Sequence, residues 1–293
     1  MSKNGYPLAY EIFEGNKFEG HAMLPVVDAF KSKYKLNQLI IIADSGLLSI
    51  NNIQELQTKE YEFILGARIK NESKGIKNKI LSLTLKNGES ALINKDDLKL
   101  IVTYSDDRAK KDHYNRDKGL RKLEKQIKTG RLTKASINNC GYNKFLKLEG
   151  EIRVSLDSEK IQQDTRWDRL KGYLTNAKLS KEQVIENYQH LWQIERAFRI
   201  AKTDLKIRPI YHRLQRRIEA HICLSFAAYK RYKELERQLN EKKANISPMT
   251  AIEIVENIFE VAIKLPHNGK IKKKTLLLTE VQKFLSSIFY FGC

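Results

Sequence analysis

The chain has 293 residues, with 54 lysines and arginines against 35 aspartates and glutamates, so its formal charge is +19 and its isoelectric point lies near 9.6. A chain this long closes one large core or two ordinary ones, and 41% apolar with 9% aromatic residues exclude a disordered basic tail. No run approaches the roughly 18 apolar residues of a membrane span, and the start Met1-Ser2-Lys3-Asn4-Gly5 lacks a signal-peptide core.

Cys140, Cys223 and Cys293 are too far apart for a metal clip and odd in number for a disulfide framework, which fits a reducing cytoplasm. The positive excess favours a polyanion, most simply a nucleic acid. The alternative is a solvated, lysine-rich surface.

Softer composition changes divide the chain into four parts. Residues 1–66 alternate strands and helices. Residues 7–13 are strand-like and stop at the turn pair Gly15-Asn16, and Met23, Leu24, Val27, Phe30 and Tyr34 follow at helical spacing. Leu39-Ile40-Ile41-Ile42-Ala43 is a continuous apolar run, expected to be a strand covered on both faces in the middle of a sheet. It ends in the turn Asp44-Ser45-Gly46, before a helix over 50–57 and a strand over 61–66. Residues 67–165 read as a basic, mixed insertion: a strand over 80–85 meets the hairpin signal Asn87-Gly88, a strand over 98–104 follows, and a charged helix runs over 106–129. Residues 166–239 hold a strand over 171–175 and two helices. The first starts at the capping box Ser180/Gln183 and ends before Pro209, and the second covers 211–239. Residues 240–293 form a small extension, with Ser247-Pro248 opening a helix and a lysine-rich turn over 269–274.

Two acidic residues stand out. Asp44 closes the most apolar strand, at the edge where α/β sheets collect ligands, and a carboxylate there can reach a hard divalent cation. It can equally cap the next helix or shape the turn with Gly46. Tyr188, Glu195 and Lys202 are spaced by seven, nearly two helical turns, and so fall on one stripe of the expected helix. Glu195 sits among Leu191, Trp192, Ile194 and Phe198, where a carboxylate needs a metal or a cation; a plain Glu195–Arg199 pair is the competing reading. Asp168 reads as a turn residue or a weaker site residue, and Asp28, Asp106, Asp107 and Asp112 read as solvated. His190, His212 and His221 lack zinc spacing, and no Walker loop, dinucleotide fingerprint or Gly-x-Ser-x-Gly elbow is present. Arg196, Arg199, Lys202, Lys206, Arg208, Arg213, Arg216 and Arg217 can neutralise successive phosphates, with Tyr188, Trp192 and Tyr211 as stacking surfaces, and Arg68, Arg108, Lys110 and Lys111 can extend the track.

The segment from Tyr188 through Glu195 and Lys202 to His212 resembles the carboxyl-terminal signature of DDE-type bacterial insertion-sequence transposases, Tyr-x2-Arg-x3-Glu-x6-Lys. Tyr188, Glu195 and Lys202 match it, while its arginine position holds Leu191. Residues 5–16 resemble an early strand of that family, residues 40–47 its strand with the second catalytic aspartate, and residues 173–176 the strand entering the last helix.

The resemblance implies an α/β fold, a ribonuclease H-like mixed sheet flanked by helices and interrupted by the insertion at 67–165. It also implies metal-dependent DNA strand cleavage and transfer, with Asp44 and Glu195 as catalytic carboxylates binding Mg²⁺ (or Mn²⁺). Tyr188, Arg199, Lys202 and Arg208 would contact DNA. The implied partners are transposon ends and target DNA, with a homo-oligomer or a full-length transposase beside them. The implied place is the bacterial cytoplasm, at the nucleoid. The family's first catalytic aspartate lies upstream of the segment that here begins at Gly5. The expectation is therefore an amino-terminally truncated enzyme that binds DNA, cleaves it poorly or not at all and has low solubility unless another chain covers the gap, or a non-catalytic DNA-binding remnant or inhibitor of full-length transposase. A ribonuclease H-like nuclease outside transposition fits the two carboxylates but not the Tyr-Glu-Lys helix.

Overall fold

The computed structural model describes residues 2, 5–13, 19–46, 49–150, 153–267 and 269–290. They fall into two units, Glu14–Leu191 on one side and Met1–Phe13 with Trp192–Cys293 on the other.

The unit Glu14–Leu191 begins with α1 (Glu19–Tyr34), β1 (Ile40–Ala43), α2 (Ile50–Thr58) and β2 (Glu62–Ala67). Ser49 starts α2 by accepting the Asn52 amide at 3.0 Å, the usual N-cap arrangement. Then come α3 (Lys74–Leu81), β3 (Ser90–Lys95), β4 (Leu98–Tyr104), α4 (Asp106–Lys128), β5 (Leu146–Glu149), β6 (Arg153–Leu156), α5 (Ser158–Thr165), β7 (Leu170–Thr175) and α6 (Lys181–Gln189). Five strands make one mixed sheet in the order β1-β2-β7-β4-β3, with β1 and β2 parallel and the other pairs antiparallel. Side chains alternate between its faces. Phe63 and Leu65 meet Leu24, Ile41 and Leu56 on one face. On the other, Ile64 meets Ile101, Tyr173, Val184 and Tyr188. Beyond the β2–β7 ladder, the Asn176 side chain continues the pairing, accepting from Phe63 N–H at 2.8 Å and donating to Tyr61 O at 2.9 Å. A separate hairpin, β5–β6, packs Leu146 and Val154 against Leu123 of α4.

The other unit holds α7 (Leu191–Thr203), α8 (Gln215–Glu241), α9 (Pro248–Glu256), β8 (Phe259–Lys264), β9 (Ile271–Leu276) and α10 (Glu280–Phe289). Ile200 of α7 packs with Tyr229 and Tyr232 of α8. The buried Glu236 of α8 takes salt bridges from Arg196 and Lys233. Leu239, Ala251 and Leu285 tie α8, α9 and α10 together. At the roots of the β8–β9 ribbon, Gln282 accepts from the Leu278 and Thr279 amides at 2.7 and 3.1 Å and donates to Asn257 O at 3.2 Å.

Several expectations change. Residues 7–13 form no ladder; Tyr6 donates to Glu234 at 2.7 Å and Tyr10 stacks on Phe226 at 4.8 Å, so α8 takes the place of a neighbouring strand. Gly15-Asn16 and Cys293 lie outside the described residues. β1 is an edge strand of the sheet, not a central one. Residues 80–85 are not a strand: Ser73 caps α3, and Ile76 and Ile80, four apart, bury the helix against β4. The hairpin turn sits instead at Asp96-Asp97, with Asp96 at φ 52°, a conformation that aspartate tolerates better than most residues. β3 and β4 belong to the main sheet, so the sheet itself runs into the segment read as an insertion. The helix expected from 181 to before 209 is divided at His190 and stops at Thr203. Near the break, the Asn187 side chain takes the Gln183 carbonyl at 2.7 Å and His190 N–H bonds Asn187 O at 3.2 Å, a local competition that ends helices. The block 166–239 is therefore split between the units after Leu191, and most of the lysine-rich turn is strand β9. No described helix is long and apolar enough to cross a membrane.

Candidate catalytic carboxylates and nucleic-acid surface

In the unit Glu14–Leu191, the parallel pair β1–β2 delivers Asp44 to the carboxyl end of β1. Its Oδ1 accepts the Gly46 amide at 2.8 Å, closing the turn. The side chain is exposed, and Oδ2 has no hydrogen bond among the described residues. The turn reading of Asp44 thus holds for one of its two oxygens. A Cβ at Gly46 would stand 2.9 Å from Asp44 Oδ1, so a side chain there would displace that carboxylate.

Tyr188, expected to stack on a base, is 8% exposed and part of the core. Its ring packs edge-on against Tyr173 at 4.8 Å, Lys171 Nζ lies 4.3 Å from its centroid, and its hydroxyl points at Gly66 beside the Ser45 amide. The residue therefore braces the turn that carries Asp44 and offers no free face to DNA. Asp168 is likewise structural: Arg116 donates to both of its oxygens at 2.6 Å, and this hydrogen-bonded pairing raises the guanidinium pKa. Asp28, read as solvated, keeps a side chain 41% exposed and is also bonded to Lys59 and Tyr61.

A cavity of ≈ 680 Å³ opens in the same unit beside Ser45, lined by Arg68, Arg108, Lys171, Trp167 and Tyr142 among others. Its acids are engaged internally: Asp164 binds Lys70 at 2.8 Å and Lys144 at 2.9 Å, and Asp168 binds Arg116. Burial raises the Asp164 pKa, but the two lysines outweigh it and hold the carboxyl below its ordinary value. Asp112, read as solvated, also lines the cavity and pairs with Arg108 at 3.7 Å, so the arginine without an acid partner among the described residues is Arg68, set beside the aromatic surface of Trp167 and Tyr142. Sequence reasoning missed Trp167, since segments far apart in the chain assemble this cavity; Arg68 and Arg108 were visible as cations alone.

In the other unit, α7 buries Ala197 and Ile200 and turns Glu195 outward, together with Trp192, Phe198, Arg199 and Lys202. Glu195 is exposed rather than enclosed by apolar neighbours, and it forms no ion pair with Arg199 among the described residues. Arg199, Lys202, Lys206, Arg208, Arg213, Arg216 and Arg217 are all exposed and without a carboxylate partner among the described residues. Arg196 differs, being bound to Glu236. His212 and His221 pack edge-on at 5.6 Å, with His221 Nε2 against Ile207 O. Asp44 and Tyr188 thus stand in one unit, and Glu195, Arg199, Lys202 and Arg208 in the other. Among the described residues no group of three or more histidines, cysteines, aspartates and glutamates could hold a metal. The free oxygens of Asp44 and Glu195 do have the donor chemistry that a hard divalent cation prefers.

No curated protein matches the chain. A solved structure described as a piggyBac transposase synaptic complex with hairpin DNA aligns over 98% of this chain at 8% identity and a TM-score of 0.39, and the chain spans 43% of that protein's length. Residues 2–230 match the family described as the transposase DDE domain. That match covers most of the sequence, including Asp44, Glu195 and the cationic row after it, and the chain belongs to the transposase DDE domain family.

Proposed function

We propose that the chain acts as a DNA transposase of a bacterial insertion sequence, on a ribonuclease H-like sheet, with Asp44 and Glu195 as catalytic carboxylates. The observation that carries the reading is α7, where an unpaired Glu195 precedes a row of exposed cations that no acid neutralises among the described residues. A helix with both features suits a phosphodiester whose charge must be held while one of its bonds breaks. Asp44 supports the same reading through its free oxygen at the end of a parallel strand. Asp44 and Glu195 each offer carboxylate oxygens suited to a divalent cation such as Mg²⁺ or Mn²⁺, which would supply an activated water or 3′-hydroxyl and neutralise the leaving oxygen. Arg199, Lys202 and Arg208 hold phosphates; Tyr188 positions the Asp44 turn from within the core.

The test is nicking of supercoiled plasmid by the purified chain with Mg²⁺ or Mn²⁺, alongside Asp44→Asn and Glu195→Gln. The expected result is slow, metal-dependent nicking that falls about 100-fold in each variant while duplex binding is kept. Equal nicking by the variants, or DNA binding with no nicking at all, would sink the catalytic assignment; the latter would leave a DNA-binding remnant.

A further inference from the structure

The family match ends at residue 230, and the β8–β9 ribbon lies beyond it. All of β8 is exposed, as are Ile271–Lys274 of β9. An isolated two-stranded ribbon is marginal in water, yet this one sets Phe259, Val261 and Ile263 in a solvent-facing row, at 60%, 38% and 55% exposure. Directly opposed residues share a face. Val261 opposes Lys274 and Ile263 opposes Lys272, so one face joins an apolar row to a lysine row and contains no acid. The ribbon's one acid, Glu260, pairs across from Thr275 on the other face and is bound there by Lys273 at 2.8 Å. Lys264 and Lys270 flank the tip. Residues 259–276 thus carry five lysines against one glutamate.

We propose that the β8–β9 ribbon is a DNA-binding element that lays its Val261–Lys274 face into the major groove of duplex DNA. A major groove about 12 Å wide admits a two-stranded ribbon. Lysine stems from Lys272 and Lys274 cover the apolar row and carry their ammonium groups out to the phosphate rims. Val261 and Ile263 meet base edges, where thymine methyl groups offer apolar contact. Charge complementarity selects a polyanion over a second copy of this +19 chain. The choice of DNA among polyanions rests on the transposase reading.

The experiment measures binding of the full chain to a random-sequence duplex by fluorescence anisotropy across a salt series, with guanine N7 methylation protection as the groove readout. Lys272→Ala/Lys274→Ala is compared with Arg213→Ala/Arg216→Ala and with wild type, thermal melts confirming folding. The expected outcome is a salt slope reduced by about 0.9 for each lysine that meets a phosphate, with N7 protection lost only in the lysine variant. An unchanged slope and footprint would overturn the ribbon proposal while leaving the transposase reading intact. Ribbon-dependent binding without metal-dependent nicking would support the ribbon and count against the enzyme. If Val261→Thr/Ile263→Thr instead converts an oligomer to a monomer with DNA affinity unchanged, the ribbon joins copies of the chain and the proposal fails.

Discussion

The hydroxyl of Tyr188 occupies the space that a side chain at Gly66 would need: a Cβ built on Gly66 would stand 2.5 Å from the Tyr188 oxygen and 3.0 Å from the Ser45 amide. Gly66 is buried in β2 opposite Tyr173. Tyr188 thereby locks helix α6 to the strand end beside the Asp44 turn.

Replacing Gly66 with alanine forces these groups apart. Overpacking of this kind costs about 1–3 kcal/mol, so Gly66→Ala should unfold at lower denaturant than wild type. Tyr188→Phe, which keeps the ring, should lose less than Tyr188→Ala. Equal unfolding midpoints for Gly66→Ala and wild type would show that the close approach does not constrain the sheet.

Arg116 and Asp168 form a bidentate pair with side chains only 6% and 15% exposed. Removing one partner of a buried pair leaves the other charge uncompensated and costs about 3–5 kcal/mol. Asp168→Ala should therefore destabilise the unit Glu14–Leu191 strongly, and Arg116→Leu/Asp168→Leu should recover much of the loss. Denaturant unfolding of the two proteins provides the comparison. A double variant worse than the single one would mean that the pair is needed as a pair.

Tyr61 donates to Asp28 Oδ1 at 2.6 Å. That hydrogen bond, then burial, then the carboxylate charge push its phenol up to about 12. An unfolded tyrosine titrates near 10, so this contribution is intact below about pH 10 and is lost as pH rises through about 12. On the acid side, the hydrogen bond from Lys59 and then that from Tyr61 hold the Asp28 carboxyl below its ordinary value. Its contribution is present above the unfolded value of about 3.9 and is lost as pH falls through the lower folded one. Phenolate absorbance should place Tyr61 ionisation lower in Asp28→Asn; coincident titrations would refute the coupling.

Elements with short-range signals were legible in the sequence. Ser180/Gln183 and Ser247-Pro248 start their helices as the capping pattern requires, and the strands read over 98–104 and 171–175 and the charged helix over 106–129 form as β4, β7 and α4. Short apolar runs were not settled by pattern alone. Residues 80–85 alternate like a strand, but Ser73 and the Ile76–Ile80 spacing win them for helix and loop. Residues 7–13 have strand propensity but pair with no strand among the described residues. The residues of the candidate site were visible because their motifs are local, while their surroundings were not. Tyr188 is buried where a stacking surface was expected, Glu195 is exposed where enclosure was expected, and Arg116 and Asp168 meet across 52 residues of chain.

One amide side chain, that of Gln282, fastens both roots of the β8–β9 ribbon to α10. The ribbon is consequently a lever with its fulcrum on that helix. A load applied at its tip reaches α10 at Gln282, and from there Leu285, packed with Leu239 of α8, so whatever the ribbon grasps pulls on the helical scaffold instead of swinging on a slack tether.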